Sequence, residues 1–206
     1  GFPCGTVNRT TKATGRNMWE SYSNQQLKQT AECNIGGQVL INEAARTATV
    51  TVEVYYTANS ASSENYLTVM MLQDSILGSQ SGGAQLNPEQ MIDGKYVHLH
   101  VLRDVVTPTW GDAIAPTTEG TLITKTYTYQ IPETIGTPNG VDVDLNNILF
   151  LAFVTEKQDG AATTPVLNVE ELHSIKVADA DNFPYFASVK VASNVSCSTE
   201  QTAVFQ

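Results

Sequence analysis

Basic residues, cysteine pairs, histidines and long apolar runs are all scarce in this chain, and each shortage removes a class of function. Only 11 lysines and arginines stand against 21 acids, for a formal net charge of -10. No basic run exists, so nucleic acid and anionic membrane surfaces are poor partners. The acidity itself reads as solubility. No apolar stretch approaches the roughly 20 residues that span a bilayer as a helix. A basic start followed by an apolar segment is also missing, so no signal peptide is expected within the chain. The opening G-F-P-C-G-T-V-N-R-T instead reads as a domain entered partway, with Gly1 a remnant of expression.

The three cysteines, Cys4, Cys33 and Cys197, have no C-x-x-C spacing, which removes the zinc and dithiol signatures. One bridge at most could form in an oxidising compartment, with Cys33 and Cys197 the pair considered, but idle thiols are the preferred reading. Nucleophile elbows, H-E-x-x-H and phosphate-cradling glycine loops do not occur. The chain is therefore read as not an enzyme, and as needing no cofactor.

What is present is a two-residue rhythm. A helix is expected over 18–31, where Asn17 and Glu20 form a capping box and Trp19, Tyr22 and Leu27 supply an apolar side. From Cys33 onward the period shortens to two. Strands are expected over 38–42, 48–56, where valines alternate with threonines, 66–72, 121–131, 148–155, which is apolar on both faces, and 166–175. Further strands fall at 187–192 and near Val204, after turns at 158–160 and 179–182. Two long loops, 74–94 and 105–119, complete the pattern. About eight or nine strands with almost no helix predict an all-β fold, an antiparallel immunoglobulin-like β-sandwich preceded by one N-terminal helix. The division expected is 1–32 for the N-terminal tail and 33–206 for the sandwich.

The densest chemistry lies in Y-V-H-L-H-V-L-R at 96–103. Read as one central strand, it places Tyr96, His98, His100 and Leu102 on a common face. His98 and His100 could then share a metal, for which Asp74, Asp104, Asp112 or His173 would have to supply a third ligand. Histidines hydrogen-bonded to loop carbonyls or to Asp74 and Asp104 are the preferred alternative. Arg103 is expected to fix a loop through a carboxylate or carbonyl contact. Asp142-Val143-Asp144-Leu145-Asn146 imitates a calcium loop but lacks the glycine and terminal acid that loop requires, and reads better as a strand edge. Trp110, with Tyr96, Tyr127 and Tyr129, could form an aromatic platform for a glycan or peptide; core packing is the competing role. Ligand-binding candidates are thus His98, His100, Arg103, Asp74 and Trp110.

Several motifs in order, L-Q-D-S-I-L-G-S-Q at 72–80, Y-V-H-L-H-V-L-R at 96–103, W-G-D at 110–112, I-L-F-L-A-F-V-T-E at 148–156 and V-L-N-V-E-E-L at 166–172, carry a resemblance. Together they resemble the twenty-eight-kilodalton outer-membrane protein family of Bacteroidetes over about residues 2–175. Leu99 stands where that family usually has asparagine, and the tail from Val177 goes unmatched. The resemblance implies a surface or periplasmic lipoprotein in which a thioredoxin-like half precedes an immunoglobulin-like half. Residues 1–32 would be the end of the thioredoxin-like half, with Pro3 facing its redox site and the helix at 18–31 its last helix. It implies export to the outer membrane or cell surface, with attachment through a lipid anchor upstream. A non-catalytic role in binding or adhesion to a protein or glycan follows. The alternatives are a metal-binding module at His98 and His100 and the accessory half of a thioredoxin-like oxidoreductase.

Overall fold

The computed structural model describes residues 4–157 and 164–178. The chain opens with a short ribbon, β1 (Cys4–Gly5) with β2 (Thr14–Gly15), then a 3-10 turn at Arg16–Met18 and α1 (Trp19–Gln26). Next come β3 (Cys33–Asn42), β4 (Thr47–Tyr56), β5 (Asn65–Gln73), β6 (Ile76–Gly78), α2 (Gly83–Leu86), β7 (Met91–Ile92), β8 (Lys95–His98) and β9 (Val101–Val105). β10 (Asp112–Ile114), β11 (Leu122–Gln130), β12 (Thr134–Ile135), β13 (Val141–Asp142), β14 (Ile148–Glu156) and β15 (Val166–Val177) complete the described elements. The residues expected to form a turn at 158–160 and at 179–182, and strands at 187–192 and near Val204, lie outside the described residues, as do Pro3 and Cys197.

Alternation makes the two layers. In β4 every second residue, Ala48, Val50, Val52, Val54 and Tyr56, has no exposed surface, while the threonines between them are half-exposed. β3 and β11 flank β4 in antiparallel register. In the second layer β5 and β14 pair antiparallel along their whole lengths, and Leu67, Val69, Met71, Phe150, Ala152 and Val154 are fully buried. The inward residues of both layers join in a single core. Among the described residues the sandwich is thus an antiparallel all-β fold with one parallel seam, between β15 and β3.

One strand belongs to both layers. β15 pairs with β14 through Val166–Leu172 and with β3 through His173–Val177, so it turns the corner of the sandwich. The opposite side is closed by side chains. Tyr127 and Tyr129, two apart on β11, face inward; the Tyr129 hydroxyl donates to Asp104 on β9 at 2.6 Å and the Tyr127 hydroxyl to Asp112 on β10 at 2.9 Å. Lys125, also on β11, lies 3.0 Å from the same Asp112 carboxylate.

Several elements differ from the sequence reading, each for a local reason. Cys33–Asn42 is one continuous strand although it contains Gly36-Gly37, because β4 runs so close that a β-carbon at Gly37 would meet the Thr51 carbonyl oxygen. The helix stops at Gln26 rather than residue 31, and no side chain caps it: Asn17 lies inside the preceding 3-10 turn. The helix has no buried residue, and Leu27, expected on its apolar side, is exposed. Residues 74–94 are not an open loop, since β6, β7 and β8 form a small antiparallel sheet over which α2 is carried. Of the strand edge expected over 142–146, Asp142 lies in β13, but Leu145 and Asn146 form a turn, with Asp144 accepting from the Asn146 amide and the Asn147 side chain.

The latch has a pH signature. Burial raises the Asp112 carboxyl, but hydrogen bonds from Lys125 and Tyr127 and the charge of Lys125 outweigh it, so its pKa is lowered overall. Stability from this group is complete above the carboxylate's ordinary value of about 4 and is lost as pH falls through the lower folded value. Burial and the adjacent carboxylates raise both tyrosine hydroxyls, so their contribution is complete below pH of about 10 and disappears above it. Tyr127→Phe is expected to cost about 1–2 kcal/mol in denaturant unfolding at pH 7. It should also flatten the loss of stability on acidification.

Candidate functional site

The opening candidates do not share a strand. His98 ends β8 in the small sheet, whereas Arg103 belongs to β9, which pairs with β5 of the sandwich. Between them Leu99 and His100 break the run, and His100 has a left-handed backbone with φ of 52°. A left-handed residue reverses the alternation, so the geometry expected for a two-histidine metal site, both imidazoles on one strand face, does not form. Nor is 96–103 central: β9 lies on the outer edge of β5, and Leu99 and Leu102 are each about half exposed.

Each residue has a definite local partner. Asp74 accepts a hydrogen bond from the His100 amide at 2.6 Å, which holds the left-handed turn, and its carboxylate lies 3.6 Å from the exposed imidazole. The His98 ring stands 5.1 Å from the Tyr96 ring at a tilt of 56°. Arg103 is buried: its guanidinium donates to the Gln73 side chain at 2.7 Å, to the Val141 carbonyl at 2.7 Å and to the Asp142 carbonyl at 3.4 Å. Desolvation lowers its pKa. Arg46 works in the same way, donating to the carbonyls of Pro132 at 3.0 Å and Val143 at 2.9 Å. Two arginines therefore staple the segment carrying β12 and β13 to the sandwich through its backbone. Arg46 gave no signal in the sequence, because carbonyl partners leave no charge pattern.

Cys33 is fully buried, and burial followed by the charge of Glu32 pushes its thiol up to about 12. It is protonated at neutral pH and a poor nucleophile.

Trp110 lies elsewhere. β5 pairs with β9 at Gln73 and with β10 at Leu67, so the histidine region lies past one end of β5, whereas Trp110 stands beside its middle, lining a cavity with Thr68 and Met70. The strand from Gln73 to Leu67 spans about 20 Å. The two long segments thus do not converge on a single loop-bearing end.

Around Trp110 the chain is tightly fixed. The Val69 amide donates to the buried Thr107 hydroxyl at 3.2 Å, and the Val106 amide to the Val69 carbonyl at 2.9 Å. Gly111, with φ of 88°, lets the segment pass β5 closely: a β-carbon there would sit 2.9 Å from that of Tyr66. The indole is left 68% exposed, so Trp110 is not core filler. It stands at the rim of a cavity of about 320 Å³.

The outer face of the β5–β14 layer is the floor of that cavity, and the N-terminal segment is its roof. Thr68 and Met70 of β5 and Phe153 and Thr155 of β14 point outward by alternation, yet Thr68, Phe153 and Thr155 are buried. Covering them is the segment around Asn8 and Arg9, whose carbonyls accept from the Val166 and Thr164 amides at 3.4 and 3.2 Å. The Arg9 guanidinium lies over the Phe153 ring, 5.4 Å from its centre. The outward threonines were visible in the sequence as polar residues within apolar strands, but nothing local showed what would cover them.

These features define a β-sandwich protein whose N-terminal segment is packed onto one sheet beside an exposed tryptophan. The family described as Outer membrane protein Omp28 matches residues 1–178, and the chain belongs to that family. It is a cell-envelope protein of the outer membrane or cell surface. Among solved structures it is similar to HBP35 of Porphyromonas gingivalis, with a TM-score of 0.63 and 17% identity, covering 95% of this chain and 60% of that one. It also aligns with a domain of the outer membrane lipoprotein Omp28 from Porphyromonas gingivalis, with a TM-score of 0.44, 18% identity, and coverage of 72% and 92%. The first likeness establishes a shared fold; this chain spans 60% of the HBP35 chain's length. No curated protein matches the sequence.

Two substitutions test the roles assigned here. Arg103→Leu should cost about 2–3 kcal/mol, because it strands Gln73 and two backbone carbonyls in a buried site. His100→Gly should stabilise the fold by up to about 1 kcal/mol by relieving the left-handed strain. Both are read by denaturant titration, and destabilisation by His100→Gly would show that the imidazole itself holds the turn.

Proposed function

We propose that this chain is a non-catalytic recognition domain of the cell envelope, taking a protein or glycan ligand at the surface around Trp110. The observation that carries this reading is an indole 68% exposed on a segment that is otherwise fastened to the sandwich by backbone hydrogen bonds. A large aromatic side chain held rigidly in water costs solvation and little further ordering entropy on binding, the usual character of a recognition anchor. The acids that might serve chemistry are engaged in structure instead. Asp104 and Asp112 accept from tyrosines, Asp74 holds the His100 turn and Asp144 closes its own turn. The histidine region is read as architecture, with His98, His100 and Asp74 shaping the join between the small sheet and β9.

The test is a binding screen of the full chain against glycans and envelope or host-surface proteins, with Trp110→Ala as the comparison. Affinity for the ligand found should fall about tenfold or more in the variant, at an unchanged melting temperature. A ligand that binds Trp110→Ala as well as the parent would remove this surface from the reading.

A further inference from the structure

The cavity beneath the N-terminal segment has an unusual wall. Among the described residues six of the ten that line it are threonines: Thr6, Thr11, Thr68, Thr109, Thr155 and Thr164. Thr68, Thr155 and Thr164 are 4%, 5% and 7% exposed, so their positions are fixed by the surrounding sheet and its cover. The Thr11 hydroxyl oxygen is buried without a hydrogen-bond partner among the described residues. A buried hydroxyl in that condition is unfavourable unless something in the cavity meets it. The roof is also held in an expensive conformation. Asn8 and Arg9 both have left-handed backbones, with φ of 52° and 54°. Neither is glycine, so the roof is held in a strained backbone. Two aromatic groups complete the site: Phe153, capped by Arg9, and Trp110.

This set of groups selects among ligand classes. An apolar ligand would strand the hydroxyls. A polyphosphate would require several cations, whereas among the described residues Arg9 is the one cation lining the cavity. A hydroxyl both donates and accepts, so a wall of hydroxyls suits a ligand that is itself dense in hydroxyls. An exposed indole suits one that also has a flat carbon-hydrogen face. The volume of about 320 Å³ is room for on the order of ten water-sized atoms, against the twelve heavy atoms of a hexose.

We propose that this cavity holds one pyranose ring of a glycan, with Trp110 against the ring face, Thr68, Thr155 and Thr11 bonded to ring hydroxyls, and Arg9 donating to a hydroxyl or a ring carboxylate. The proposal rests on the recognition reading above and narrows it to a sugar. It also gives the N-terminal segment a part in the site, as the roof without which the outward threonines would only meet solvent.

The experiment titrates the full chain with methyl glycosides of neutral hexoses, N-acetylhexosamines and uronic acids, following tryptophan fluorescence in a Trp19→Phe background, so that Trp110 is the sole reporter. At least one glycoside should bind saturably at the millimolar level or tighter. Thr155→Val and Thr68→Val, which keep the β-branched shape and delete the hydroxyl, should each weaken it about tenfold while the melting temperature stays within a few degrees. Neutral and acidic arms count equally in favour, since the hydroxyl wall serves both. The proposal is overturned if no glycoside in the panel binds saturably, or if binding, read by titration calorimetry, survives both Thr155→Val and Trp110→Ala. A protein ligand that needs Trp110, found with no sugar binding, would overturn the pyranose site while leaving the recognition reading in place.

Discussion

Both layers of the sandwich hang on a strand they share. β15 gives its first half to β14 and its second half to β3, and the chain path therefore folds back over its own apolar face. Without that corner, β3–β4–β11 and β5–β14 would each present an unpaired edge and an uncovered row of valines, phenylalanine and leucines. The free side is closed less completely, by tyrosine hydroxyls donating to carboxylates across the gap. Charge-assisted hydrogen bonds of this type are directional and short-ranged, so they set the spacing of the two edges where no backbone ladder can.

That closure has consequences for the rest of the surface. β9 and β10 follow one another along the same edge of β5, and each carries one latch carboxylate. The stretch joining them must lie flat against β5, and it does so through Thr107 and Gly111. Trp110, between those two anchors, has nowhere to go but outward. The tryptophan's exposure follows from how the edge is closed. The N-terminal segment then packs beside it, and two wet-looking threonines become the floor of an open cavity.

The strands were legible because their signal is local. Ala48 to Tyr56 alternates so regularly that its inner and outer faces can be assigned residue by residue, and the unbroken apolar run from Ile148 to Val154 declares burial on both faces. The double-histidine run misled for the same local reason. Alternation at 96–103 looks continuous on paper, but the Asp74 carboxylate captures the His100 amide from 26 residues away and turns the backbone left-handed. No pattern within the run contains that contact. The Tyr127 and Tyr129 pair is a second instance, since their partners lie 15 and 25 residues distant in a different layer. Arg103 and Arg46 are a third: their partners are carbonyls, which every residue has.

By itself the sequence determined the long sandwich strands, their inward residues and, through its ordered motifs, the outer-membrane family. Each of these depends on neighbours along the chain or on recurring residues, and both survive without coordinates. Only the tertiary structure decided that the candidate site divides between one end of β5 and its middle, that Trp110 faces water and that the N-terminal segment covers Thr68 and Thr155. Those outcomes depend on which distant segment comes to lie over a given face. Packing in three dimensions chooses that cover, and a face looks the same in sequence whether solvent or another stretch of chain lies above it.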